Sequence, residues 1–446
     1  MKEFQNIFFI GIGGIGMSAL ARYFQSIGKS VYGYDKTSTE LTRELEKIGM
    51  SIHYTDDLNN IPSSLTKENT LVVITPAVPK SHSEWNYFID NGFEIKKRSE
   101  VLGLITKDTY CFAVAGTHGK TTTTGILGHI LYQSGVDVTA FVGGIVENYH
   151  SNLIGNGKTV TVVEADEFDR SFLRLYPDMA CINSMDADHL DIYRDKSHIE
   201  ESFLEFANKI QDKNKLFAPA ELHLNATKIG FSDADDFQAK NIRVENGAYV
   251  FDVKTKDGDI KDIRFHLPGK HNLSNALTAL SMAKSYGISD DNIKKALESF
   301  KGIERRFSYK IKTENLVLID DYAHHPTEIN AVFTAVKELY PNKKNVAVFQ
   351  PHLFSRTRDF LDGFATSLSQ FDEVILLDIY PARELPIEGV TSQALLDKIT
   401  HPNKKLVTKV ELNNAVLASD AQIVVIVGAG DIGEMVMPLK EFLEKS

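Results

Sequence analysis

Cysteine is nearly absent: Cys111 and Cys181 are the two in 446 residues, and both lie inside apolar, strand-like runs. That argues against a disulfide framework or a cysteine metal site and suits buried thiols in a reducing compartment. Long apolar runs are also missing. None approaches the ~20 residues that cross a bilayer, the stretch Ile7 to Leu20 is broken by glycines, and Met1 to Asn6 lacks a basic leader. A soluble, cytoplasmic protein is expected. Excess positive charge is lacking too, since the formal net charge is -11. Broad binding to nucleic acid relies on a basic surface and is therefore not expected, so any anionic ligand must be held locally. The clearest basic cluster early in the chain is Lys96-Lys97-Arg98. There is no signature of disorder: with 43% hydrophobic and 24% charged residues, the chain is globular and long enough for about three domains.

What is present begins with Ala115-Gly116-Thr117-His118-Gly119-Lys120-Thr121-Thr122, directly after the apolar run Tyr110 to Val114. A strand that ends in glycines and opens into a helix aims backbone N–H groups and the positive helix end at one point, where a phosphate fits. Gly116 and Gly119 allow close approach, Lys120 can reach terminal phosphates, and the Thr121 hydroxyl can join a magnesium shell. The expected ligand is a nucleoside triphosphate. The usual spacing places a glycine at 114, where this chain has Val114, so the pattern is a variant.

The chain opens with a βαβ pattern: strand Ile7 to Ile10, the loop Gly11-Ile12-Gly13-Gly14-Ile15-Gly16-Met17, a helical stretch, then Val31 to Tyr34 ending at Asp35. The glycine spacing allows a pyrophosphate at a helix N-terminus, and Asp35 sits where an acid would take a ribose hydroxyl. NAD, FAD or a nucleotide sugar would each satisfy that geometry. Strands at Leu71 to Thr75 and Phe93 to Lys96 extend this first sheet.

After the phosphate loop comes the strand Thr159 to Val163, closed by Glu164-Ala165-Asp166-Glu167. An acid at the carboxyl end of a buried strand beside a phosphate loop is where a magnesium ligand is needed, and Glu164 is the choice. The strand Met179 to Asn183 leads to Asp186-Ala187-Asp188-His189-Leu190-Asp191, with His189 as a metal or phosphate partner. From Leu222 to Leu267 short alternating strands with an Asp257-Gly258 turn predict a small antiparallel insert. Further strands at Leu316 to Ile319, Val346 to Phe349, Val374 to Ile379 and Ile423 to Val427 alternate with helices and predict a mostly parallel sheet. Polar clusters crowd their ends: Asp320-Asp321-Tyr322-Ala323-His324-His325, Gln350-Pro351-His352 with Arg356 and Arg358, and Gly428-Ala429-Gly430-Asp431. Ligands bind at such strand ends in open α/β sheets.

Nine segments in order resemble the Mur ligases over essentially the whole chain: Gly11 to Met17, Ala115 to Thr122, Glu164 to Phe172, Asp186 to Asp191, His271 to Asn275, Arg305 to Phe307, Asp320 to Glu328, Phe349 to Thr357 and Gly428 to Ile432. The stretches Asp321 to Glu328 and Phe349 to His352 are similar to those of the member that adds L-alanine. The resemblance implies three α/β domains: an N-terminal Rossmann-like nucleotide-sugar domain (1–106), a central P-loop ATPase domain (107–307) and a C-terminal Rossmann-like domain (308–446) that closes over the site. It implies that L-alanine is joined to the lactyl carboxylate of UDP-N-acetylmuramate with ATP and Mg2+, through an acyl phosphate, by a monomer or homodimer. Gly11, Gly13, Gly14, Gly16 and Met17 would then hold the sugar diphosphate, with Asp35, Thr75, Arg98, Ser171, Tyr322, His325 and Arg358 as further substrate contacts. Gly116, Thr117, Gly119, Lys120, Thr121 and Thr122 would bind ATP, helped by Asn272, Asn275, Arg306 and Asp320. Thr121, Glu164 and His189 would bind magnesium, while His324 and Arg356 would serve the amine and carboxylate of the amino acid.

Two departures stand out. Leu353 replaces an arginine found in some relatives, and the carbamylated lysine of several sibling ligases has no counterpart near Ser202 to Phe206. Three alternatives remain open at this level: a nicotinamide- or flavin-linked oxidoreductase, a phosphoryl-transfer or motor ATPase, and a family member that attaches a peptide, glycine or serine.

Overall fold

The computed structural model describes residues 4–186, 196–245, 248–382 and 384–445. Three sheets carry the α/β architecture. The first holds Asn6–Ile10, Ser30–Tyr34, Ser51–His53, Thr70–Ile74 and Glu94–Lys97, all parallel, in the order third, second, first, fourth, fifth. The chain winds outward from the first strand in one direction and then in the other. The crevice beyond the first and fourth strands is therefore a topological switch point, where ligands of such sheets bind. The glycine loop follows the first strand and Thr75 follows the fourth. The helix Ile15–Ser26 starts inside that loop and buries Met17, Leu20, Ala21 and Phe24, one stripe of a 3.6-residue period.

The second sheet has ten strands. Tyr110–Ala115, which feeds the phosphate loop, lies between Val160–Ala165 and Met179–Ile182, parallel to both. The helix Lys120–Gln133 that follows is buried all round, each residue from Thr121 to Leu131 being buried. On one side the sheet ends in Val138–Val146 and Ser151–Ile154. On the other it continues through Leu216–Pro219, Thr227–Gly230, Phe237–Glu245, Ala248–Thr255 and Gly258–Phe265. The expected antiparallel insert is thus an extension of this sheet. Thr227–Gly230 and Phe237–Glu245 are added parallel, and the Ala248–Thr255/Gly258–Phe265 hairpin is antiparallel. The physical reason is that the open edge of Leu216–Pro219 offers unpaired backbone groups to the next segment of chain.

The third sheet orders Ser308–Lys312, Val317–Asp321, Ile423–Val427, Asn345–Phe349, Glu373–Leu376 and Lys404–Leu406. The first strand is antiparallel and the rest are parallel. Separate apolar cores cover its two faces.

The chain divides into two compact units. One comprises Met1–Glu245, Tyr249–His266 and Ser274–Lys301, and the other contains Leu267–Leu273 and Gly302–Ser446. The first two sheets share one unit because the helix Ile15–Ser26 packs on Val138–Val146 and Ser151–Ile154. One apolar core runs through both, including Phe9, Phe24, Phe141 and Phe172. The buried Asn152 amide fastens the joint, donating to Ile15 O at 2.7 Å and Ser18 Oγ at 2.8 Å. Among the described residues no helix is long and apolar enough to cross a membrane.

Candidate functional site

Gly116 and Gly119 shape the phosphate loop. Gly119 caps the helix at φ 80°, and Gly116 stands at φ 128° with so little room that a Cβ would lie 2.8 Å from Ser184 N. Close packing is thus met by Gly116, while Val114 stays fully buried in the strand. Two neighbouring strand ends brace the loop. Ser184 Oγ accepts from His118 N at 2.9 Å and pairs with Thr117 Oγ1 at 2.8 Å, and Asp186 N donates to Thr117 Oγ1 at 3.0 Å. Asn183 Nδ2 donates to Thr123 Oγ1, which itself donates to Asn275 Oδ1. Asn275 therefore sits under the loop, whereas Asn272 turns its amide to Pro268 O at 2.7 Å. Thr122 is buried in the first helical turn.

The three carboxylates at the end of Val160–Ala165 and just beyond it point to different places. Glu164 accepts from Gly143 N at 2.5 Å and Thr121 Oγ1 at 3.3 Å, and its burial pushes its pKa up against these bonds and Lys120. Asp166 pairs with Arg98 at 3.4 Å. Glu167 pairs with Lys120 at 2.8 Å; burial lowers the ammonium pKa, but Glu167 and its acidic neighbours more than offset that and leave it raised. Ser171 turns back to Asp166 O at 3.0 Å.

Of these groups, Glu164, Asp166, Arg98 and Gly143 line a cavity of about 330 Å³. One wall comes from the glycine loop and its sheet: Gly14, Ile15, Gly16, Met17, Thr75 and Arg98. The other wall is Phe141, Val142, Gly143, Glu164 and Asp166. Arg98 lies so close to Gly16 that a Cβ there would meet its guanidinium at 2.8 Å. The cavity therefore joins the glycine loop of one sheet to the carboxylate that touches the phosphate loop of the next. Gly11 and Gly13 are not among the lining residues. Asp35 serves this loop internally, accepting from Gly13 N at 2.7 Å and Thr37 N at 3.1 Å.

In the second unit the strand ends gather another polar group. Asp320 and Asp321 are both buried. Arg305 donates to Asp320 at 3.4 Å and to Gly428 O at 2.6 Å. Asp321 accepts from Phe307 N and Ala323 N, each at 2.7 Å, and burial raises its pKa to about 6. The Arg305 and Arg306 guanidiniums lie 5.1 and 5.5 Å from the centre of the Tyr322 ring. His324 Nδ1 donates to Tyr322 O at 3.0 Å, which leaves Nε2 as the acceptor nitrogen. Burial lowers the His324 pKa, with Glu328 opposing and Arg356 adding to the shift. Arg356 donates to His352 Nδ1 at 3.2 Å, and the His324 and His352 rings lie 6.3 Å apart. Two expected contacts have other partners: His325 Nδ1 caps the helix Pro326–Leu339 by accepting from Thr327 N, and Arg358 pairs with Asp359 at the surface. Leu353 holds an unusual left-handed φ of 71°, tied to Tyr380 O at 2.9 Å.

His189 lies outside the described residues. Sequence reasoning passed over Glu167, Ser184 and Gly143. Ser184 follows the same rule that singled out Glu164, a polar residue at the end of a strand beside the phosphate-loop strand. Gly143 carries no side-chain signal.

Comparison with known proteins adds the family. Residues 6–110 match the Mur ligase family catalytic domain, 114–283 the Mur ligase middle domain and 305–430 the Mur ligase glutamate ligase domain. The chain is 66% identical to the UDP-N-acetylmuramate–L-alanine ligase of Flavobacterium johnsoniae, over 100% of this chain and 99% of that one. It is 46% identical to the enzyme of that name from Cytophaga hutchinsonii, over 100% and 98%. The crystal structure of UDP-N-acetylmuramate-alanine ligase from Thermotoga maritima superposes with a TM-score of 0.84 at 29% identity, over 99% of both chains. Three consecutive domain matches and full-length relatives of this similarity establish that the chain belongs to the Mur ligase family, whose members are ATP-dependent ligases.

Proposed function

We infer that this protein joins L-alanine to the lactyl carboxylate of UDP-N-acetylmuramate at the expense of ATP, in the synthesis of peptidoglycan precursors in the cytoplasm. The observation that carries the reading is the cavity shared by Gly14, Gly16, Thr75 and Arg98 on one wall and Glu164 on the other, with Glu164 bonded to Thr121. A sugar diphosphate at the glycine loop would bring its carboxylate toward the phosphate loop. The names of the full-length relatives support the same substrates. We propose 1–106, 107–307 and 308–446 as the functional domains.

An amide cannot form directly from a carboxylate, whose charge repels the amine and whose oxide leaves poorly. Transfer of the terminal phosphoryl group of ATP to the lactyl carboxylate gives an acyl phosphate with phosphate as leaving group. Lys120 and the backbone N–H groups of 116–122 would stabilise charge on the group in transfer. Glu164 and the Thr121 hydroxyl are hard oxygen donors of the kind magnesium takes, and it usually completes its shell with water and phosphate oxygens. When bound, magnesium would add Lewis-acid neutralisation of the phosphoryl charge. Arg98 would hold an anionic part of the sugar nucleotide. In the second unit, Arg356 would pair with the L-alanine carboxylate. His324 Nε2, neutral near pH 7, would accept the proton that the ammonium must lose before it attacks.

The test is phosphate release with ATP, magnesium and UDP-N-acetylmuramate, with and without L-alanine. Release that requires all four components is expected. Equal rates with and without L-alanine would overturn the assignment, as would hydride transfer from NAD(P)H without ATP turnover.

A further inference from the structure

Lys120 has three N–H donors, and every one of them is engaged within the protein. One reaches Gly116 O at 2.6 Å, and the others reach Glu167 Oε1 at 3.0 Å and Oε2 at 2.8 Å. Glu167 is only 1% exposed, and the ammonium is a direct partner of its buried charge. A terminal phosphate cannot bond to Lys120 unless at least one of these contacts is released. Taking the cation from a buried carboxylate is unfavourable. The neighbouring acids have other partners, since Glu164 bonds to Thr121 and Gly143, and Asp166 to Arg98.

We propose that Glu167 is a positioning residue for Lys120 and an internal competitor of the triphosphate: it occupies the ammonium before nucleotide binds and sets how tightly nucleotide is held. The proposal rests on the assignment of 116–122 as the triphosphate site. Glu167 holds the lysine folded back along its own loop, where the ammonium also meets Gly116 O. Nucleotide binding is then an exchange of one anion for another at a fixed cation. A residue that merely supported the fold would have the opposite effect on removal, because a disordered loop binds phosphate less well.

The experiment is calorimetry on the full chain with magnesium and the β,γ-methylene analogue of ATP. In Glu167→Gln the competing charge is gone, and the Kd falls by roughly tenfold, the scale of one charge-assisted hydrogen bond. Glu167→Asp restores the charge and returns the Kd toward the wild-type value, and UDP-N-acetylmuramate affinity is unchanged in both. A second neutral variant, Glu167→Ser, carries the same expectation as Glu167→Gln if that one does not fold. A folded neutral variant that binds the analogue as the wild type does, or more weakly, overturns the proposal. Wild-type protein that binds no nucleotide overturns the site assignment, and this proposal with it.

Discussion

Gly119 and Gly135 stand at the two ends of the phosphate-loop helix with almost the same backbone angle, φ 80° and 78°. Alanine at either position must adopt a left-handed conformation, at about 1–2 kcal/mol. The surroundings differ. A Cβ on Gly135 meets nothing within 4 Å, whereas one on Gly119 would lie 2.4 Å from Asn275 Oδ1 and 3.1 Å from Asn183 Nδ2. Those side chains are tied to Thr123, so the loop must give way by nearly an ångström. Such overpacking adds about 1–3 kcal/mol. Gly135→Ala should therefore lose about 1–2 kcal/mol of stability, and Gly119→Ala about 2–5 kcal/mol. The loop amides would be displaced from the phosphate only in the latter. A shift of ~1 Å in a positioning group lowers activity by roughly a hundredfold, so kcat/KM for ATP should fall on that scale in Gly119→Ala and stay near wild type in Gly135→Ala. Chemical unfolding and steady-state kinetics on the pair provide the assay. Equal behaviour of the two variants would refute the view that close packing behind Gly119 sets the shape of the cradle.

Lys120→Ala should abolish ligation while UDP-N-acetylmuramate still binds, read by calorimetry; loss of sugar binding would show that the two sites are not divided as described. Glu164→Gln should raise the magnesium concentration needed for half-maximal phosphate release by at least tenfold, since one charged ligand contributes on the order of 1.4 kcal/mol or more, and an unchanged magnesium curve would count against this ligand. His129, buried in the phosphate-loop helix between Tyr149 and Ser299, has its pKa lowered by burial to about 4. The unfolded chain therefore takes up a proton near pH 6.5 that the folded one refuses. The stability gained from this residue is full above that pH and is lost as the pH falls toward 4, to the extent of about 3 kcal/mol. Urea unfolding between pH 4 and 7 should show this slope flattened in His129→Gln, even though that variant is less stable at pH 8; an unaltered slope would contradict it.

The parts of the fold with strong local patterns were legible in the sequence. The first strand with its glycine loop, and the strand that feeds Lys120, combine uninterrupted apolar runs with glycines at the turns. Val138–Val146 was not read because Gly143-Gly144 breaks its apolar run as a loop would. Ser51–His53 is too short to show a period. In the site, Glu164 was legible because it ends a strand beside the phosphate-loop strand. The partnership of Glu167 with Lys120 was not, because the alternation of side chains lapses where the strand stops at Ala165. Asp35 looked like a ribose contact from its spacing, yet the same spacing lets its carboxylate bind the Gly13 amide. His325 and Arg358 carry charge and hydrogen-bonding capacity whatever they touch, so residue type alone did not reveal the helix cap and the surface pair that the structure gives them.

The joint fastened by Asn152 has a consequence for how the polypeptide can be cut. Chain ending near residue 108 would leave the helix Ile15–Ser26 without Phe141, which packs on Tyr23, and Phe141 would be stripped in turn. Each piece would expose a greasy scar and tend to clump. The lobe that carries the glycine loop is therefore not a portable module, and its expression and swapping between relatives should proceed together with the lobe that carries the phosphate loop.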